Sequence, residues 1–518
     1  MSLLWPILRG LLRHPRRTII TDDRGEYSAG KLLVGALHVA ERVKRDSACP
    51  RVGVMLPTSG AFPLALLGTW WADKAVVPLN YLLSNDDLRY IIRDSGIDTL
   101  ITVDPMLEHI GGESALPDGL HLIRLDHMAF EGVPELRWPP LHDGTDLAAL
   151  LYTSGTSGRP KGVALTHANL AHNVKAGIEH AGIKECDGFL GVLPNFHAFG
   201  LTVLTLIPLY TGSHAIYTAR FMPKKLAQLA ARHRPTIFVA VPSMFAALAS
   251  MKGVDAADWT SVKLAVSGAE PLPDAVYEKC KDKLGLEILE GYGLTETSPC
   301  ATWSLPGDAK RHSVGKPLPG VQVFILDEQD HPLPAGQEGE IALAGPSVMQ
   351  GYWFKPEATE AVMVDIPLTP NDPYGGPHVN AFRTGDIGKV DRDGHVFITG
   401  RKKDLIIMAG ENVSPREIED AIEKHPGVHA ACAVGKPDES RGEVAVAFVE
   451  MEEDAAFDEA ELIKHVRETG LPAFKVPKSI TKLDAMPRNP TGKILRRELR
   501  DRVANEAKSS SPEPAGAV

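Results

Sequence analysis

The most informative stretch of this chain runs from Leu151 to Val163 and reads LYTSGTSGRPKGV. It continues an apolar run beginning at Leu147 that predicts a buried strand. Its glycines let the backbone curl until successive N–H groups face one point, which forms a nest for phosphate oxygens. The side chains that add donors are those of Thr153, Ser154, Thr156, Ser157 and Lys161, and the loop glycines are Gly155 and Gly158. The stretch therefore predicts a phosphate-binding loop.

The spacing of this loop differs from that of a Walker A motif, in which a lysine directly follows the second glycine. Here Arg159 and Pro160 separate Gly158 from Lys161. Because Gly and Ser are also the residues of plain flexible loops, composition alone leaves both interpretations open. The complete string resembles the phosphate-loop signature of the adenylate-forming superfamily, which includes acyl-CoA synthetases, luciferases and peptide-synthetase adenylation domains. This resemblance implies that the loop binds ATP.

The length and composition are typical of a soluble globular protein with several domains. The 518 residues predict roughly three domains, and 44% of them are hydrophobic while 23% are charged. The net charge of −11 argues against nucleic acid as the main partner, because no global basic field exists to hold phosphate groups. The five cysteines include no CxxC pair, which predicts buried, reduced thiols in a cytoplasmic protein.

The N-terminus predicts an amphipathic helix with two possible roles. Its apolar residues recur at helical spacing among arginines: Leu3, Leu4, Ile7, Leu8, Leu11 and Leu12, with Arg9, Arg13, Arg16 and Arg17. One interpretation is a peripheral membrane helix. The other, which we favour, is a first helix that packs its apolar stripe on the protein's own core. No run is long enough to span a bilayer, and charge that follows the apolar stretch argues against a signal peptide. We therefore expect a cytoplasmic protein, with peripheral membrane association as the alternative.

Apolar runs alternate with helix-like segments as far as about residue 397, which predicts the α/β class. The expected strands are Val52–Leu56, Thr99–Val103, Phe238–Val241, Val262–Val266 and Glu287–Glu290, and the expected helices include Asp86–Asp94 and Pro223–Arg232. Around Val321–Leu326 and Gly339–Ala344 the pattern changes to short strands with Gly/Pro turns. This change indicates a β-rich subdomain.

A break at the charged segment Gly400–Asp404 separates this region from a compact β/α pattern. The expected strands there are Leu405–Met408, Ala430–Val434, Val444–Val449 and Ser479–Leu483, and the expected helices run from Ser414 or Pro415 to His425 and from Glu459 to Glu468. We predict a large N-terminal region of layered α/β subdomains plus a β-rich subdomain (1–400) and a small mobile α+β domain (401–506). The small, polar, Pro-containing end (507–518) predicts a disordered tail.

Two further motifs follow predicted strands, where ligands bind in open α/β sheets. They are SGAEP at Ser267–Pro271 and GYGLTET at Gly291–Thr297. Glycines permit the close approach of a flat ring, Tyr292 offers a stacking face, and Glu296 offers an oxygen ligand for Mg²⁺. Taken singly, Tyr292 is equally well a core aromatic residue and Glu296 a surface acid.

In this order after the phosphate loop, the two motifs are similar to the adenine-binding segment and the metal-binding glutamate of the superfamily. The resemblance implies adenine contacts for Gly268, Ala269, Glu270, Tyr292 and Gly293. It also implies that Thr295 contacts phosphate and that Glu296 binds Mg²⁺, both as catalytic residues.

The segment RTGD places the carboxylate of Asp386 beside a glycine, where it can accept hydrogen bonds from both ribose hydroxyls. Taken alone, such a segment is usually a turn. Followed by GRKKD at Gly400–Asp404, it matches the superfamily pattern. The resemblance implies that Asp386 binds ribose, that Arg401 contacts ribose or phosphate, and that Lys403 is the hinge between the domains.

Near the C-terminus, PTGKILRR contains Lys493, which the resemblance implies is the catalytic lysine. The alternative is the basic start of a solvated helix. Attack of a carboxylate on the α-phosphorus of ATP joins two anions, so positive charge is needed where negative charge accumulates. Mg²⁺ and Lys493 would supply it.

The acid-binding region resembles the superfamily segment with an acid-pocket aromatic residue or histidine, here LPNFHAFG at Leu193–Gly200. Adenylation domains for amino acids usually place an aspartate near the position of His197, and this chain has none there. The predicted acyl pocket comprises Phe196, Phe199 and Val241, with His197 as a catalytic residue. Because an unpaired ammonium in such a site is costly, we predict an uncharged acyl chain. A plain core histidine is the alternative for His197.

The acceptor is predicted from AGENVSPREIE, which resembles the acyl-CoA synthetase form of the C-terminal domain. The resemblance implies that Ala409 and Gly410 pack beside the pantetheine arm of CoA. We therefore predict a fatty acyl-CoA synthetase that uses a fatty acid, ATP and CoA. An acyl carrier protein or a lysophospholipid is the alternative acceptor. A catalytically dead adenylate binder is a third hypothesis, against which Lys493, Glu296 and Asp386 argue. The Pro/Gly-rich stretch Asp365–His378 has no assigned role.

Overall fold

The computed structural model describes residues 2–135, 137–153, 159–368, 378–408, 411–438, 441–452, 455–488 and 494–509, with the backbone alone for 507–509. Several predicted positions lie outside these residues: Ser154, Gly155, Thr156, Ser157 and Gly158 of the phosphate loop, Ala409 and Gly410, Lys493, residues 369–377 of the Pro/Gly-rich stretch, and residues 510–518.

The described strands, numbered in chain order, are β1 Thr18–Asp22, β2 Gly25–Ser28, β3 Arg51–Val54, β4 Ala75–Pro78, β5 Thr99–Thr102, β6 His121–Arg124, β7 Leu147–Thr153, β8 Lys161–Thr166, β9 Gly188–Gly191, β10 His214–Tyr217, β11 Ile237–Ala240, β12 Leu264–Ser267, β13 Ile288–Gly293, β14 Cys300–Trp303, β15 Lys316–Pro317, β16 Gln322–Leu326, β17 Gly339–Ala344, β18 Gly351–Tyr352, β19 Met363–Pro367, β20 His378–Val390, β21 Val396–Arg401, β22 Ile406–Met408, β23 Glu411–Val413, β24 Val428–Asp438, β25 Gly442–Met451 and β26 Ile480–Lys482.

The described α-helices are α1 Leu4–Arg13, α2 Ala29–Asp46, α3 Ala61–Trp71, α4 Asn85–Ser95, α5 Asp104–His109, α6 His167–Ala181, α7 Ile207–Thr211, α8 Pro223–His233, α9 Pro242–Ser250, α10 Asp274–Leu284, α11 Pro356–Glu360, α12 Pro415–Glu423, α13 Glu459–Glu468 and α14 Arg496–Ser509. The bounds of β17 and α13 match the predicted segments residue for residue. The last helix extends three residues into the segment predicted to be disordered.

Two sheets with parallel centres form the N-terminal region. One has the strand order β15-β14-β13-β12-β11-β9-β10-β1-β2, and the other has the order β18-β8-β7-β4-β3-β5-β6. Parallel pairing extends from β13 to β1 in the first sheet and from β7 to β6 in the second. Helices connect the parallel strands, as a parallel arrangement requires. The predicted α/β class is therefore confirmed.

Two smaller sheets follow in the chain. The order β16-β17-β20-β19, with β21 beside β20, is antiparallel throughout and forms the predicted β-rich subdomain. The C-terminal sheet has the order β23-β22-β25-β24, with β26 beside β25. Apolar residues cover it on both sides, with α12 and α13 on one face and α14 on the other. This separate core is typical of an independent domain.

The apolar stripe of α1 is buried in the main core. Leu4, Ile7, Leu8 and Leu11 are each at most 2% exposed and pack with residues of α2 and α3. The interpretation of a helix packed on the protein's own core is confirmed, and the stripe cannot contact a membrane. Leu12, which was assigned to the stripe, is instead exposed. Among the described residues, no helix is long and apolar enough to cross a bilayer.

The five cysteines are free thiols. Cys280 and Cys432 are buried as predicted, and Cys49 and Cys300 are half-buried. Cys186 is exposed, so the prediction of a buried thiol is wrong at that position. Cys186 lies among Lys184, Glu185 and Asp187 in the connection between α6 and β9, so its local sequence indicates the exposed position that the structure shows.

Candidate active site

The site lies at the carboxyl edge of four adjacent parallel strands. Register places Val239 of β11 opposite Gly191 of β9 and Val266 of β12, and Ser267 opposite Glu290 of β13. The segments that follow these strands therefore meet at one edge of the sheet, which is where open α/β sheets bind ligands. The acid-binding loop, Val241 and Gly268 all come to this edge.

The aromatic ring of Phe199 lies directly against Gly268. A Cβ atom added at Gly268 would be 3.1 Å from Cε1 of Phe199, so a larger residue there would displace the ring. The next residue, Ala269, is exposed and has a φ of 71°, which is uncommon for a residue with a side chain. The backbone thus turns sharply at the predicted adenine site, and Glu270 follows it in a half-buried position.

Tyr292, Asp386 and Arg401 form one hydrogen-bonded group. The phenol of Tyr292 donates to Oδ2 of Asp386 over 2.6 Å, and Nε of Arg401 lies 2.7 Å from Oδ1. Asp386 is 2% exposed and sits directly opposite Arg401 in the pairing of β20 with β21. Burial and the neighbouring Asp386 carboxylate raise the pKa of Tyr292 well above its ordinary value. Each carboxylate oxygen has a second lone pair, so Asp386 can still accept from ribose hydroxyls.

The local structure of this group differs from the prediction. Gly291–Gly293 was expected to be a loop after a strand, and the RTGD segment was compared with a turn. Instead, Gly291, Tyr292 and Gly293 extend β13 because β14 pairs with them, and Asp386 lies inside the long strand β20. Gly385, with a φ of 71°, marks an irregularity in β20. These pairings, of β13 with β14 and of β20 with β17, β19 and β21, lie within single sheets, and the short motifs alone do not show them.

A second group connects Lys161 to Glu296 through Tyr352. Lys161 begins β8 opposite Thr153, so the hairpin of β7 and β8 carries the phosphate loop between these two residues. Its ammonium lies 4.9 Å from the centroid of the Tyr352 ring, and the phenol donates to Oε1 of Glu296 over 2.9 Å. The pairing of β18 with β8 places Tyr352 there. No complete motif in the sequence points to Tyr352, although Gly351-Tyr352 repeats the Gly-Tyr pair at Gly291-Tyr292.

Glu296 is a suitable magnesium ligand. It lies in a single 3₁₀ turn, Thr295–Thr297, and is half-buried. Burial raises the pKa of its carboxyl group, while the Tyr352 hydrogen bond and the charges of Arg401 and Lys161 oppose this rise. Mg²⁺ is usually held by one or two carboxylates together with substrate phosphates. The half-buried Glu296 carboxylate and the neighbouring Thr295 hydroxyl offer oxygen donors of this kind.

The acid-binding loop combines buried aromatic residues with an exposed histidine. Phe196 is buried and meets the ring of Tyr81 edge to face, with 5.1 Å between centroids. His197 is exposed, so the alternative of a plain core histidine is wrong. Val241 is buried at the start of α9, and Phe199 is half-buried. No sequence motif points to Tyr81, because it is distant in the chain from Phe196.

A π-helix, Gly200–Leu206, follows this loop. A Cβ atom at Gly200 would lie 2.1 Å from the carbonyl oxygen of Pro194, so only glycine fits where the loop closes on itself. Helical turns of the π type often occur at functional sites. The local geometry therefore supports a specialised role for the loop between Pro194 and Gly200.

The predicted hinge residue lies in the short turn Lys402–Asp404, between the third sheet and the C-terminal sheet. Burial lowers the pKa of Lys403. Nη2 of Arg500 lies 2.7 Å from Oδ1 of Asp404, and Nε of Arg496 lies 3.8 Å from Oδ2 of the same carboxylate. The turn is therefore anchored on its C-terminal side by α14.

A cluster of charged groups joins α12 to the N-terminal region. Arg416 lies 2.5 Å from Asp420 and 3.7 Å from Glu423, while Glu290 within β13 lies 3.2 Å from Arg311. The charge of Arg416 also acts on Glu290. Burial raises the pKa of Glu290 to about 6 and that of Glu423 to about 7. The half-buried charges on α12 are therefore close enough to Glu290 to influence its carboxyl group.

Comparison with known proteins agrees with this geometry. Residues 9–353 match the family model described as AMP-binding enzyme, and residues 417–493 match the AMP-binding enzyme C-terminal domain. The chain is 32% identical to a long-chain-fatty-acid–CoA ligase of Bacillus subtilis, over 94% of this chain and 92% of that one. It is 35% identical to a sulfoacetate–CoA ligase of Cupriavidus necator, over 86% of each.

Similarity to solved structures extends over the whole length. The crystal structure of ATP-bound MatB from Rhodopseudomonas palustris is 30% identical in sequence and superimposes with a TM-score of 0.86, covering 97% of this chain and 99% of that one. The first matched range includes Lys161, Tyr292, Glu296 and Tyr352, whereas Asp386 and Arg401 lie between the two ranges. The chain therefore belongs to the AMP-binding enzyme family.

Proposed function

We propose that this protein activates a medium- or long-chain fatty acid in two steps. The acid first reacts with ATP to give an acyl adenylate and pyrophosphate, and CoA then takes the acyl group as a thioester. The reaction class is supported by family membership and by relatives named as CoA ligases. The identity of the acid needs a separate argument, because those relatives are named for acids as different as long-chain fatty acids and sulfoacetate.

The observation that supports a fatty acid is the apolar character of the acid-binding loop. Phe196 and Val241 are buried, and the ring of Phe199 lies against Gly268. A second charge on the acid, such as a sulfonate or an ammonium, would lose its hydration against these side chains, and burying an unpaired charge is costly. An alkyl chain has no charge to desolvate there, and its burial stabilises the complex by roughly 0.8 kcal/mol for each methylene group.

In the first step, the protein must orient two anions for in-line attack. The Asp386 and Arg401 pair, with Tyr292, would bind the ribose and adenine of ATP, and the hairpin that includes Lys161 would bind its phosphates. Thr295 and Glu296 would hold Mg²⁺, which would neutralise charge on the phosphates. Lys493 would lie against the substrate carboxylate and the α-phosphate. The new bond joins a carboxylate oxygen to the α-phosphorus, and pyrophosphate leaves.

In the second step, the small domain would turn about Lys403 and present another face. Ala409 and Gly410 would then lie beside the pantetheine arm, and the CoA sulfur would displace AMP from the acyl carbon. Domain rotation of this kind allows one site to support two half-reactions. The free thiols of all five cysteines support a cytoplasmic location for this enzyme.

The experiment is an acid panel in ATP–pyrophosphate exchange. We expect exchange to rise from short to medium and long fatty acids and to be weak with sulfoacetate and amino acids. Preferred exchange with a charged or aromatic acid would overturn the fatty-acid assignment while leaving the reaction class in place. Thioester formation is then measured with CoA, with a holo acyl carrier protein and with a lysophospholipid. Transfer to either of the last two in preference to CoA would overturn the acceptor assignment.

A further inference from the structure

A single region holds most of the exposed apolar side chains of this protein. Among the described residues, ten large apolar side chains are exposed, and six of them lie on α1, on α2 or on the stretches 128–135 and 137–142, which contact both helices. These six are Leu12, Val34, Phe130, Val133, Trp138 and Leu141. We call this region the Trp138 surface. Such a concentration is unusual, because exposed apolar residues of soluble proteins are normally scattered singly.

The Trp138 surface is held by specific contacts. Nε1 of Trp5 donates to the carbonyl of Pro140 over 3.2 Å, and the Trp5 ring stacks on Trp138 with 6.3 Å between centroids. Nε1 of Trp71 donates to the carbonyl of Arg137 over 3.0 Å. Yet the side chains of Trp138 and Leu141 are 86% and 85% exposed. The backbone of the segment is therefore anchored while its largest apolar side chains point into solvent.

The surface continues across both helices. On α1, Trp5, Arg9 and Leu12 are spaced four and three residues apart, so they lie on one face of the helix. The amide of Gly30 donates to the carbonyl of Pro15 over 2.7 Å, so α2 begins where α1 ends. Further along α2, the ring of His38 meets the edge of Phe130 at 5.9 Å. The exposed apolar residues therefore share one side of the molecule.

The N-terminal part of this region is basic although the whole chain is acidic, and the segment around Trp138 itself carries the exposed side chains of Glu131, Glu135 and Arg137. The first 17 residues include four arginines and no acidic residue, whereas the net charge of the chain is −11. Arg9, Arg13 and Arg16 are exposed, and Arg17 contacts Glu185. At the end of α1, residues Arg13 to Arg17 and Glu185 line an open groove of about 440 Å³. The nearby acid Glu135 is neutralised by Arg137, 2.5 Å away.

We propose that the Trp138 surface binds a bilayer that contains anionic lipids. Exposed tryptophan and leucine side chains suit the boundary between headgroups and acyl chains, and flanking arginines attract anionic headgroups. The negative charge on the rest of the chain would turn this side toward the membrane. In this arrangement the buried apolar stripe of α1 does not contact lipid. It packs the helix on the protein core. The proposal rests on this surface alone and includes no residue of the active site.

The test is co-sedimentation of the full-length protein with vesicles of phosphatidylcholine, with and without phosphatidylglycerol. We expect binding to be at least about tenfold stronger to the anionic vesicles and to weaken with added salt. The double variant Trp138→Ser/Leu141→Ser should lose most binding to either vesicle. The triple variant Arg9→Glu/Arg13→Glu/Arg16→Glu should lose the preference for anionic vesicles.

Matched controls lie in the C-terminal domain. Ile407→Ser removes another exposed apolar side chain, and Lys464→Glu/Arg467→Glu reverses two exposed charges on α13. These variants should bind vesicles like the wild type. Melting temperature and pyrophosphate exchange without vesicles should be unchanged in all variants, which separates this proposal from the proposed function. Equal loss of binding in the controls would overturn the assignment. So would a wild-type dimer, seen by light scattering, that Trp138→Ser/Leu141→Ser converts to a monomer, because the surface would then bind a second copy.

Discussion

The phenol of Tyr352 donates a hydrogen bond to Oε1 of Glu296 over 2.9 Å, and the face of the same ring lies 4.9 Å from the ammonium of Lys161. One side chain thus sets the position of the predicted magnesium ligand and of the phosphate-loop lysine. Tyr352 does not itself have to touch the reacting atoms, so we regard it as a positioning residue.

Removing the phenol oxygen should therefore impair the use of Mg²⁺. We expect Tyr352→Phe to slow pyrophosphate exchange about tenfold, since a hydrogen bond to a charged group contributes roughly 1.5–3 kcal/mol, and to raise the Mg²⁺ concentration for half-maximal rate. Tyr352→Leu should be slower still, because it also removes the ring beside Lys161. The matched control is Tyr27→Phe, which removes a phenol that hydrogen-bonds Asp22 far from the site. Exchange by Tyr352→Phe at the control rate would contradict the assignment.

The magnesium requirement should depend on pH through Glu296. Because burial raises the pKa of this carboxyl group above its ordinary value of 4.5, protons compete with Mg²⁺ at higher pH than for an exposed glutamate. We expect the half-saturating Mg²⁺ concentration to rise as the pH falls toward the raised pKa. In Glu296→Gln it should be higher at neutral pH and nearly independent of pH. Parallel pH profiles for the two proteins would remove Glu296 from the metal site.

Asp386→Asn should mainly weaken ATP binding. The amide oxygen of asparagine can still accept from Tyr292, but the ion pair with Arg401 is lost. Contacts with ribose are similar in the ground and transition states, so we expect the KM for ATP to rise about tenfold with little change in kcat. Steady-state exchange kinetics at varied ATP measure both constants. A fall in kcat with an unchanged KM would be inconsistent with ribose binding.

Mutations on the two faces of the small domain should impair the two half-reactions separately. We expect Lys493→Ala to nearly abolish pyrophosphate exchange while thioester formation from supplied acyl adenylate continues. Gly410→Leu should do the reverse and accumulate acyl adenylate, because a branched side chain would fill the space of the pantetheine arm. Each variant is the control for the other. If both half-reactions fall together in either variant, a rotation about Lys403 is not supported.

The carboxyl group of Glu423, on α12, should make the free energy of unfolding depend on pH. The folded-state pKa of Glu423 is raised by burial from 4.5 to about 7. Its contribution to stability is therefore complete below about 4.5 and is lost as the pH rises through about 7. Glu423→Gln should remove this part of the pH dependence of the free energy of unfolding, while Arg416 keeps Asp420 as a partner. Glu468→Gln, at an exposed position, is the control and should leave the dependence unchanged.

Patterns of neighbouring residues predict many of the strands and helices and the order of the chemical motifs. The bounds of Gly339–Ala344 and Glu459–Glu468 follow from patterns of period two and 3.6, which depend only on near neighbours. The phosphate-loop string, Tyr292, Glu296, Asp386 and Arg401 were identified because each stands in a short, recognisable segment. The structure brings the last four of these residues toward one site.

Which residues come into contact, and which surfaces remain exposed to solvent, follows from the packing of the elements and not from local sequence patterns. Tyr352 contacts a residue 56 positions away because β18 pairs with β8, and no local pattern encodes that pairing. Tyr292 and Asp386 lie in strands because β14 pairs with β13 and β21 pairs with β20, each within its own sheet. The spacing of leucines in α1 predicted an apolar face but not what covers it. Hydrophobic burial is non-directional, so only the packed core shows that this face is buried and that Trp138 is exposed.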